Sequence, residues 1–284
     1  MTELRLSYYP DITQHRTPDE IRSAIVVFAT ALQEQLSKST GQQYTVTVLP
    51  VVSVPEQTTM AVEQRCEIGL MKPSSYIYAH RHNPNVNVAA VALRKIDGRI
   101  GDSYFAQIYA HTRLNVTTFQ ELLDLCRGPL STRPVMGFGD SFSTSNFLVN
   151  AALLRDNGRH PLTRFRRVEF FGGHDLVAEA VYDGRADVGA GHDGVVEDLA
   201  RVAGYSDAAR VIRQIGHRDI HSDPVAVIVD DNELRSAITA ALLEIEKLDT
   251  VKKALDIFWG AVFGLGPTRH ENYRSIEEAI DSLA

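Results

Sequence analysis

Short runs of apolar residues alternate with amphipathic stretches along most of the chain. Such runs are typical of buried strands, whereas apolar residues at every third or fourth position are typical of helices. The runs predict strands at residues 4–9, 45–52, 67–71, 86–93, 104–111, 134–138, 167–171, 186–190, 211–215 and 224–229. Helices are predicted to start at Thr17 and Pro73 and at residues 54–65, 118–125, 143–157, 174–184 and 194–203, with residues 232–284 largely helical. This alternation predicts an α/β protein with parallel sheets.

Two segments in different parts of the chain resemble each other. AVEQRCEIGL (61–70) and AVYDGRADVGA (180–190) both end a predicted helix and continue through a turn and an acidic residue into a short buried strand. Two lobes of similar structure would produce this similarity between the segments. We therefore expect the chain to cross between lobes near Gly101–Tyr104 and Ser222–Pro224, so that residues 1–102 and 223–284 form lobe 1 and residues 103–222 form lobe 2.

Composition places the chain among soluble globular proteins. It has 284 residues, 44% of them hydrophobic and 23% charged, and a formal net charge of −7. An acidic chain of this kind argues against a nucleic-acid partner. The sequence has no apolar run long enough to span a membrane and no visible secretory signal. Two localisations follow as alternatives: an extracytoplasmic protein whose leader has been removed, or a cytosolic one.

A cluster of hydroxyl residues stands at the start of one predicted helix. FGDSFSTSNFLVN (138–150) places Ser143, Thr144 and Ser145 directly after the strand that ends at Phe138. The first amide groups of a helix have no internal hydrogen-bond partner and carry partial positive charge, so they can bind an anion without Lys or Arg. Ordinary capping of the helix, with the other hydroxyls in solvent, is the alternative interpretation.

Two further segments bring polar residues to the ends of strands. In FFGGHDLVAEAV, His174 follows two glycines at the start of a helix, where ligands of α/β sheets gather. In HRDIHSDPVAV, Asp223 lies at the second predicted crossover and could accept a hydrogen bond from a ligand. A surface histidine and an ordinary Asp-Pro turn are the respective alternatives.

Lobe 1 contains a similar junction. GLMKPSSYIYA places Lys72 and Ser75 where a strand meets a helix, and Ser74 or Ser75 is the expected cap. A solvated charge is the alternative for Lys72. Tyr104, just after the first crossover, is expected to face a ligand or to pack in the sheet.

The usual enzyme motifs are missing from the sequence. It contains no nucleophile elbow, no P-loop and no dinucleotide-binding glycine motif. The pair His217 and His221 and the triplet Gly191–Asp193 hint at metal binding, but ten histidines make such pairs expected by chance. The sequence therefore predicts no catalytic residues, no cofactor and no metal site.

Together these residues resemble one family, the phosphonate, phosphite and phosphate substrate-binding proteins of ABC importers. The resemblance runs from LRLSYYP to the PVAV strand and is most specific between residues 134 and 191. It implies the two-lobed type II periplasmic binding protein fold, in which each lobe is a mixed sheet flanked by helices. Two crossover hinge strands would join the lobes around a ligand cleft.

The resemblance also implies roles for individual residues. Ser143, Thr144, Ser145 and His174 would hold the anion from lobe 2, Tyr104 would add a hydroxyl, and Asp223 would accept from a protonated oxygen. Lys72 and Ser75 are candidates from lobe 1. Asn146 replaces the glycine usual in the family, so the helix start is tighter or Asn146 touches the ligand. In some members an acidic side chain recognises the aminoalkyl tail of the ligand. Asp193 lies near that position in the sequence but does not align with it.

The resemblance finally implies partners and a role. The ligand would be a small phosphorus oxyanion and the protein partner an ABC permease in the membrane, with the binding protein itself a monomer outside the cytoplasm. A regulatory sensor of the same fold and an enzyme built on this scaffold are the alternatives.

Overall fold

The computed structural model describes residues 2–10, 16–96, 99–156 and 160–283. The strands are β1 (Thr2–Tyr8), β2 (Tyr44–Val48), β3 (Ile68–Leu70), β4 (Val86–Ile96), β5 (Arg99–Gly101), β6 (Ser103–His111), β7 (Val135–Phe138), β8 (Arg167–Phe170), β9 (Val188–His192), β10 (Ile212–His221), β11 (Pro224–Ile228) and β12 (Val262–Gly266). The α-helices are α1 (Pro18–Thr40), α2 (Val54–Val62), α3 (Pro73–His82), α4 (Phe119–Leu125), α5 (Val149–Asp156), α6 (Pro161–Arg164), α7 (His174–Tyr182), α8 (Val195–Leu199), α9 (Ala208–Val211), α10 (Asn232–Ile245), α11 (Asp249–Trp259) and α12 (Arg274–Leu283). Short 3₁₀ turns occupy Thr112–Leu114, Leu130–Thr132 and His270–Tyr273, and a π-helical turn occupies Thr144–Leu148.

The chain forms two compact units. The first contains residues 1–103 and 221–274, and the second contains residues 104–220 and 275–284. The C-terminal residues differ from the sequence-based division, which placed everything after residue 222 in lobe 1. They group with the second unit because the side chain of Leu283 packs against its hydrophobic core.

The first unit is built on a mixed sheet with the strand order β12-β4-β11-β3-β1-β2, in which β5 pairs with β4. Strand β1 runs parallel to β2 and β3, whereas β11 is antiparallel to both β3 and β4. A large core cluster joins this sheet to α1, α10 and α11, and its members Phe28, Leu242 and Phe258 are fully buried. Burial of these apolar faces is what stabilises the unit.

The second unit has a mixed sheet with the strand order β10-β6-β9-β7-β8. Successive residues of a strand point to opposite faces, and both faces of this sheet are covered. Ile108 and Met136 pack with α4 and α5 on one side, while Tyr109 and Val135 pack with α7 and α8 on the other. Strand β7 is parallel to β8 and β9, and β6 is antiparallel to β9.

Several elements differ from the sequence-based prediction. Strand β12 lies in a region that the sequence predicts to be helical. The prediction is wrong because two glycines interrupt the run of apolar residues that would indicate a strand. Residues 217–221, predicted as a link, continue β10, and the last two of them, Ile220 and His221, are buried. Helix α8 ends at Leu199 rather than at residue 203. Asn157, the predicted end of the helix after the hydroxyl cluster, lies outside the described residues.

Among the residues that the structure describes, no helix combines the length and the apolar character needed to cross a membrane.

Candidate anion-binding site

Three loops of the second unit reach the same edge of its sheet. Strands β7, β8 and β9 run parallel to one another, so their carboxyl ends lie together. The chain continues from β7 into the helix that starts at Thr144, from β8 into α7, and from β9 into α8. Open ends of helices beside the carboxyl ends of strands are the usual ligand sites of α/β sheets. The residues predicted from the hydroxyl cluster and from His174 lie at this edge.

The helix after β7 begins with a π-helical turn. The amide of Leu148 donates to the carbonyl oxygen of Ser143 at 3.0 Å, and the amide of Val149 donates to Thr144, five residues back in each case. Because the first internal bond comes one residue later than in an α-helix, the amide of Phe147 joins those left without an intrahelical partner. Turns of this kind occur frequently at functional sites.

Three buried hydroxyl residues surround these amides. Ser143 is the cap, and its Oγ accepts a hydrogen bond from the amide of Asn146 at 3.1 Å. Thr144 and Ser145 follow and are also buried. Within the described residues, neither the hydroxyl nor the amide of Ser145 makes a hydrogen bond. The hydroxyl of Ser145 and the amides of Ser145 and Phe147 are therefore donors that no acceptor among the described residues uses.

His174 joins the hydroxyl cluster from the neighbouring helix. It is the first residue of α7, it is buried, and its Nε2 lies 3.5 Å from Ser143 Oγ. Its Nδ1 accepts a hydrogen bond from the backbone amide of His192 at 3.2 Å. The structure thus brings together His174 and Ser143, which are separated by 31 residues in sequence.

Two buried amide side chains that sequence reasoning missed support this edge. Asn150 Nδ2 donates to the carbonyl oxygens of Ser145 at 2.6 Å and of Gln107 at 3.1 Å. Gln107 Nε2 donates to the carbonyl oxygen of His192 at 2.7 Å. In an α-helix the carbonyl oxygen of Ser145 would accept a hydrogen bond from the amide of Val149, which here donates to Thr144 instead. Asn150 supplies the missing donor to that oxygen and so stabilises the π-helical turn. Asn150 stands among the apolar positions of the helix predicted there, and a polar residue at such a position could have indicated a buried hydrogen bond.

Asn146 is used inside the protein. It is fully buried, and its Oδ1 accepts a hydrogen bond from the amide of Gly139, at the end of β7. Its Nδ2 has no hydrogen-bond partner among the described residues. The helix start that contains Asn146 is a π-helical turn, so it is wider than an α-helical start rather than tighter.

The contact between Gly139 and Asn146 yields a stability prediction. A Cβ at position 139 would lie 2.6 Å from Asn146 Cγ, so Gly139→Ala should lower the free energy of unfolding by about 1–3 kcal/mol. Urea denaturation measures this loss. When Asn146→Gly is combined with Gly139→Ala, the free energy of unfolding should fall by less than the sum of the decreases in the two single variants. Gly101→Ala is the control, because its Cβ would meet nothing within 4 Å; equal losses at both glycines would contradict the prediction.

Asp193 and Tyr104 lie at the ends of neighbouring strands in the second unit. Asp193 follows β9, and its Oδ1 accepts a hydrogen bond from the amide of Phe105 at 3.4 Å, while its own amide donates to the carbonyl oxygen of Phe105 at 3.0 Å. Tyr104 is the preceding residue of β6 and is buried. Asp193 therefore ties β9 to β6.

In the first unit, Lys72 and Ser75 lie at the start of α3. The predicted cap at Ser74 or Ser75 is wrong: Lys72 is the cap residue, without a side-chain capping bond, because Pro73 takes the first helical position. Lys72 Nζ lies 5.4 Å from the centre of the Tyr9 ring, a distance typical of a cation–π contact. Ser75 is buried, and its hydroxyl makes no hydrogen bond within the described residues.

Asp223 lies at the same edge of the first sheet as the start of α3. Because β11 is antiparallel to β3, the residues that precede β11 lie beside those that follow β3, and the amide of Met71 donates to the carbonyl oxygen of Pro224 at 3.1 Å. Asp223 Oδ2 accepts a hydrogen bond from Arg94 at 2.6 Å. Arg94 also donates to Ser222 Oγ at 3.0 Å. Sequence reasoning missed Arg94 and its ion pair with Asp223.

The histidines that hinted at a metal have other partners. His217 packs edge-on against Phe105, and His221 Nε2 lies 2.7 Å from Thr268 Oγ1. Burial lowers the pKa of His221, against the opposing effect of Asp102. In the part of the chain that the structure describes, no three His, Cys, Asp or Glu side chains are grouped to hold a metal ion.

Comparison with known proteins identifies the family. Residues 12–273 match the family described as ABC transporter, phosphonate, periplasmic substrate-binding protein. The chain belongs to this family. No curated sequence matches the chain closely enough to add a nearer relative.

Solved structures share the fold of this phosphonate-binding family member. PhnD1 from Prochlorococcus marinus, in complex with methylphosphonate, has a TM-score of 0.72 and 19% identity over 99% of this chain and 98% of that one. A binding protein component of an ABC phosphonate transporter from Pseudomonas aeruginosa has a TM-score of 0.67 and 15% identity over 98% of this chain and 85% of that one. A Xanthomonas citri protein bound to chloride ion has a TM-score of 0.75 and 14% identity over 99% and 97% of the two chains. The two mixed sheets with flanking helices are those of type II periplasmic binding proteins.

Proposed function

We propose that this chain binds a small phosphorus oxyanion, namely a phosphonate, phosphite or phosphate, as the solute-binding component of an ABC importer. One observation carries the proposal: a helix start with buried hydroxyls and unused amides meets the buried His174 at the carboxyl edge of the second sheet. Such a site supplies several hydrogen-bond donors to one anion. Family membership supports the same function.

The oxyanion is proposed to replace water at the helix start. Its oxygens accept hydrogen bonds from the hydroxyls of Ser143, Thr144 and Ser145, from the amides of Ser145 and Phe147, and from His174. Asn146 shapes the loop through Gly139. The methylphosphonate bound to the Prochlorococcus marinus relative has the same phosphorus–oxygen chemistry.

Residues of the first unit are proposed to contribute as well. One oxygen of Asp223 is bound by Arg94, and the other has no hydrogen bond within the described residues, so it can accept from a protonated ligand oxygen. Ser75 and Lys72 would offer a hydroxyl and a positive charge, while Tyr104 of the second unit would offer a second hydroxyl. The interlobe cleft and the lobe boundaries predicted from the sequence stay predictions.

The remaining parts of the proposal concern partners and place. The family consists of periplasmic transport components, which supports delivery of the ligand to a membrane permease over a regulatory role. We further propose that the chain acts as a monomer outside the cytoplasm, without catalysis.

Calorimetry against phosphate, phosphite, methylphosphonate and aminoethylphosphonate tests the proposal. At least one of these anions should bind. Ser143→Ala and Thr144→Ala should each reduce the affinity for that anion about 10- to 100-fold, because each removes a hydrogen bond to a charged group. Ser141→Ala is the matched control, since this hydroxyl belongs to the same loop but is exposed. Failure of all four anions to bind, or equal affinities in the three variants and the parent, would reject the proposed site.

A further inference from the structure

The orientation of the His174 ring is set by a backbone amide. His192 donates its N–H to Nδ1 of His174 at 3.2 Å, and the two rings lie 4.7 Å apart. A backbone amide can only donate, so Nδ1 has to present its lone pair. In the neutral ring the proton is therefore on Nε2, the nitrogen that lies 3.5 Å from Ser143 Oγ.

The protonated ring does not fit this arrangement. An imidazolium carries a proton on both nitrogens, so its Nδ1–H would point at the N–H of His192. Protonation would replace a hydrogen bond by two opposed donors in a buried place, and an unmade hydrogen bond in such a place is costly.

The backbone around His192 cannot easily turn to relieve this conflict. The N–H that faces His174 belongs to the peptide between Gly191 and His192, and both residues are paired with β6, Gly191 opposite Gln107 and His192 opposite Ala106. The next peptide is held as well, because the carbonyl oxygen of His192 accepts a hydrogen bond from Gln107 Nε2 at 2.7 Å. The peptides on both sides of His192 are thus fixed, and with them the direction of its N–H.

We propose that His174 binds the anion as a neutral hydrogen-bond donor, the Nε2–H tautomer fixed by the amide of His192. The inference rests on the proposed function for its ligand. Ser143 Oγ already accepts from the amide of Asn146, so its own proton is directed to another acceptor. His174 then gives the anion a hydrogen bond but no positive charge. The affinity for a singly charged anion should therefore be the same at every pH near neutrality.

Titratable groups on all the surrounding elements bear on this inference. They are His192 and Asp193 at the end of β9, Tyr109 in β6, Asp140 in the loop before Ser143, and Asp175 in α7. The three carboxylates would favour a cation at His174, whereas the amide of His192 opposes one at contact distance. Tyr109 and His174 both flank Gly191, and burial raises the pKa of Tyr109, so its hydroxyl is neutral. The amide of His192, which is hydrogen-bonded to Nδ1, is the group that selects the neutral ring.

Nitrogen NMR of the uniformly ¹⁵N-labelled full chain tests the tautomer directly. The His174→Gln variant identifies the signals of His174. We expect a protonated Nε2 and an unprotonated Nδ1 from about pH 6 to about pH 8.5, where an ordinary histidine titrates. His80 is the internal contrast, because its Nδ1 lies 2.6 Å from the carbonyl oxygen of Val86 and so has to carry a proton. A proton on Nδ1 of His174 at about pH 7, alone or with one on Nε2, would overturn the proposal.

Binding measurements give a second, independent test. Dimethylphosphinate is a monoanion throughout this range, so the pH dependence of its affinity reports the protein alone. The affinity should stay within about threefold, whereas a required imidazolium would weaken binding about tenfold per pH unit above the pKa of the ring. Such a slope, absent from the His174→Gln variant, would overturn the proposal. If none of the phosphorus anions binds, the proposed function fails, and the NMR experiment still decides the tautomer.

Discussion

Ser145→Asp should reduce the affinity for methylphosphonate at least about a hundredfold, because like charges placed together cost several kcal/mol. Ser145 is buried at the helix start, and neither its hydroxyl nor its amide is used within the described residues. A carboxylate there would accept the hydrogen bonds intended for the ligand. It should also be tolerated by the fold, since a negative charge is stabilised near a helix N-terminus.

Ser145→Asn is the matched control, because it has nearly the same volume as the aspartate without the charge. Calorimetry should show a much smaller loss for the asparagine variant, and circular dichroism should show both variants folded. Similar affinities for the two variants would mean that the anion does not bind at this helix start.

Arg94→Met should lower the free energy of unfolding by about 3–5 kcal/mol, the usual cost of leaving one partner of a buried ion pair alone. The side chains of Arg94 and Asp223 are only 18% and 8% exposed. Removal of the guanidinium leaves the Asp223 carboxylate without its cation and also breaks the bonds of Arg94 to Ser222 and Gly260.

Denaturation by urea measures this loss, and a second substitution shows its origin. Arg94→Met combined with Asp223→Asn removes the uncompensated charge, so the double variant should be more stable than Arg94→Met alone. A single variant as stable as the parent would show that the pair is too well solvated to matter.

Local pattern was sufficient to predict most of the fold. The apolar runs of β1, β4 and β11 are long and flanked by turn residues, so period and length alone indicated strands. Strand β12 has no such run because Gly264 and Gly266 interrupt it, and its pairing with β4 decides its conformation. The polar segment 217–221 became a strand for the same reason, since tertiary pairing outweighs a weak local preference.

The candidate site divides in a similar way. Ser143, Thr144, Ser145 and His174 were predicted from helix starts, which are local features. Arg94 could not be predicted, because it reaches Asp223 across 129 residues of sequence. Gln107 and Asn150 were missed because their hydrogen bonds go to backbone carbonyls of other elements, and such acceptors leave no trace in the residue pattern.

The position of β11 in the first sheet has a consequence for synthesis of the chain. Strand β11 lies between β3 and β4, which are made much earlier. Until residues 224–228 leave the ribosome, the facing edges of β3 and β4 have unpaired amides and carbonyls, and open edges of this kind invite pairing with other chains. The nascent first unit therefore stays an incomplete sheet while the whole of residues 104–220 is translated, and the segment that carries Asp223 is also the one that closes it.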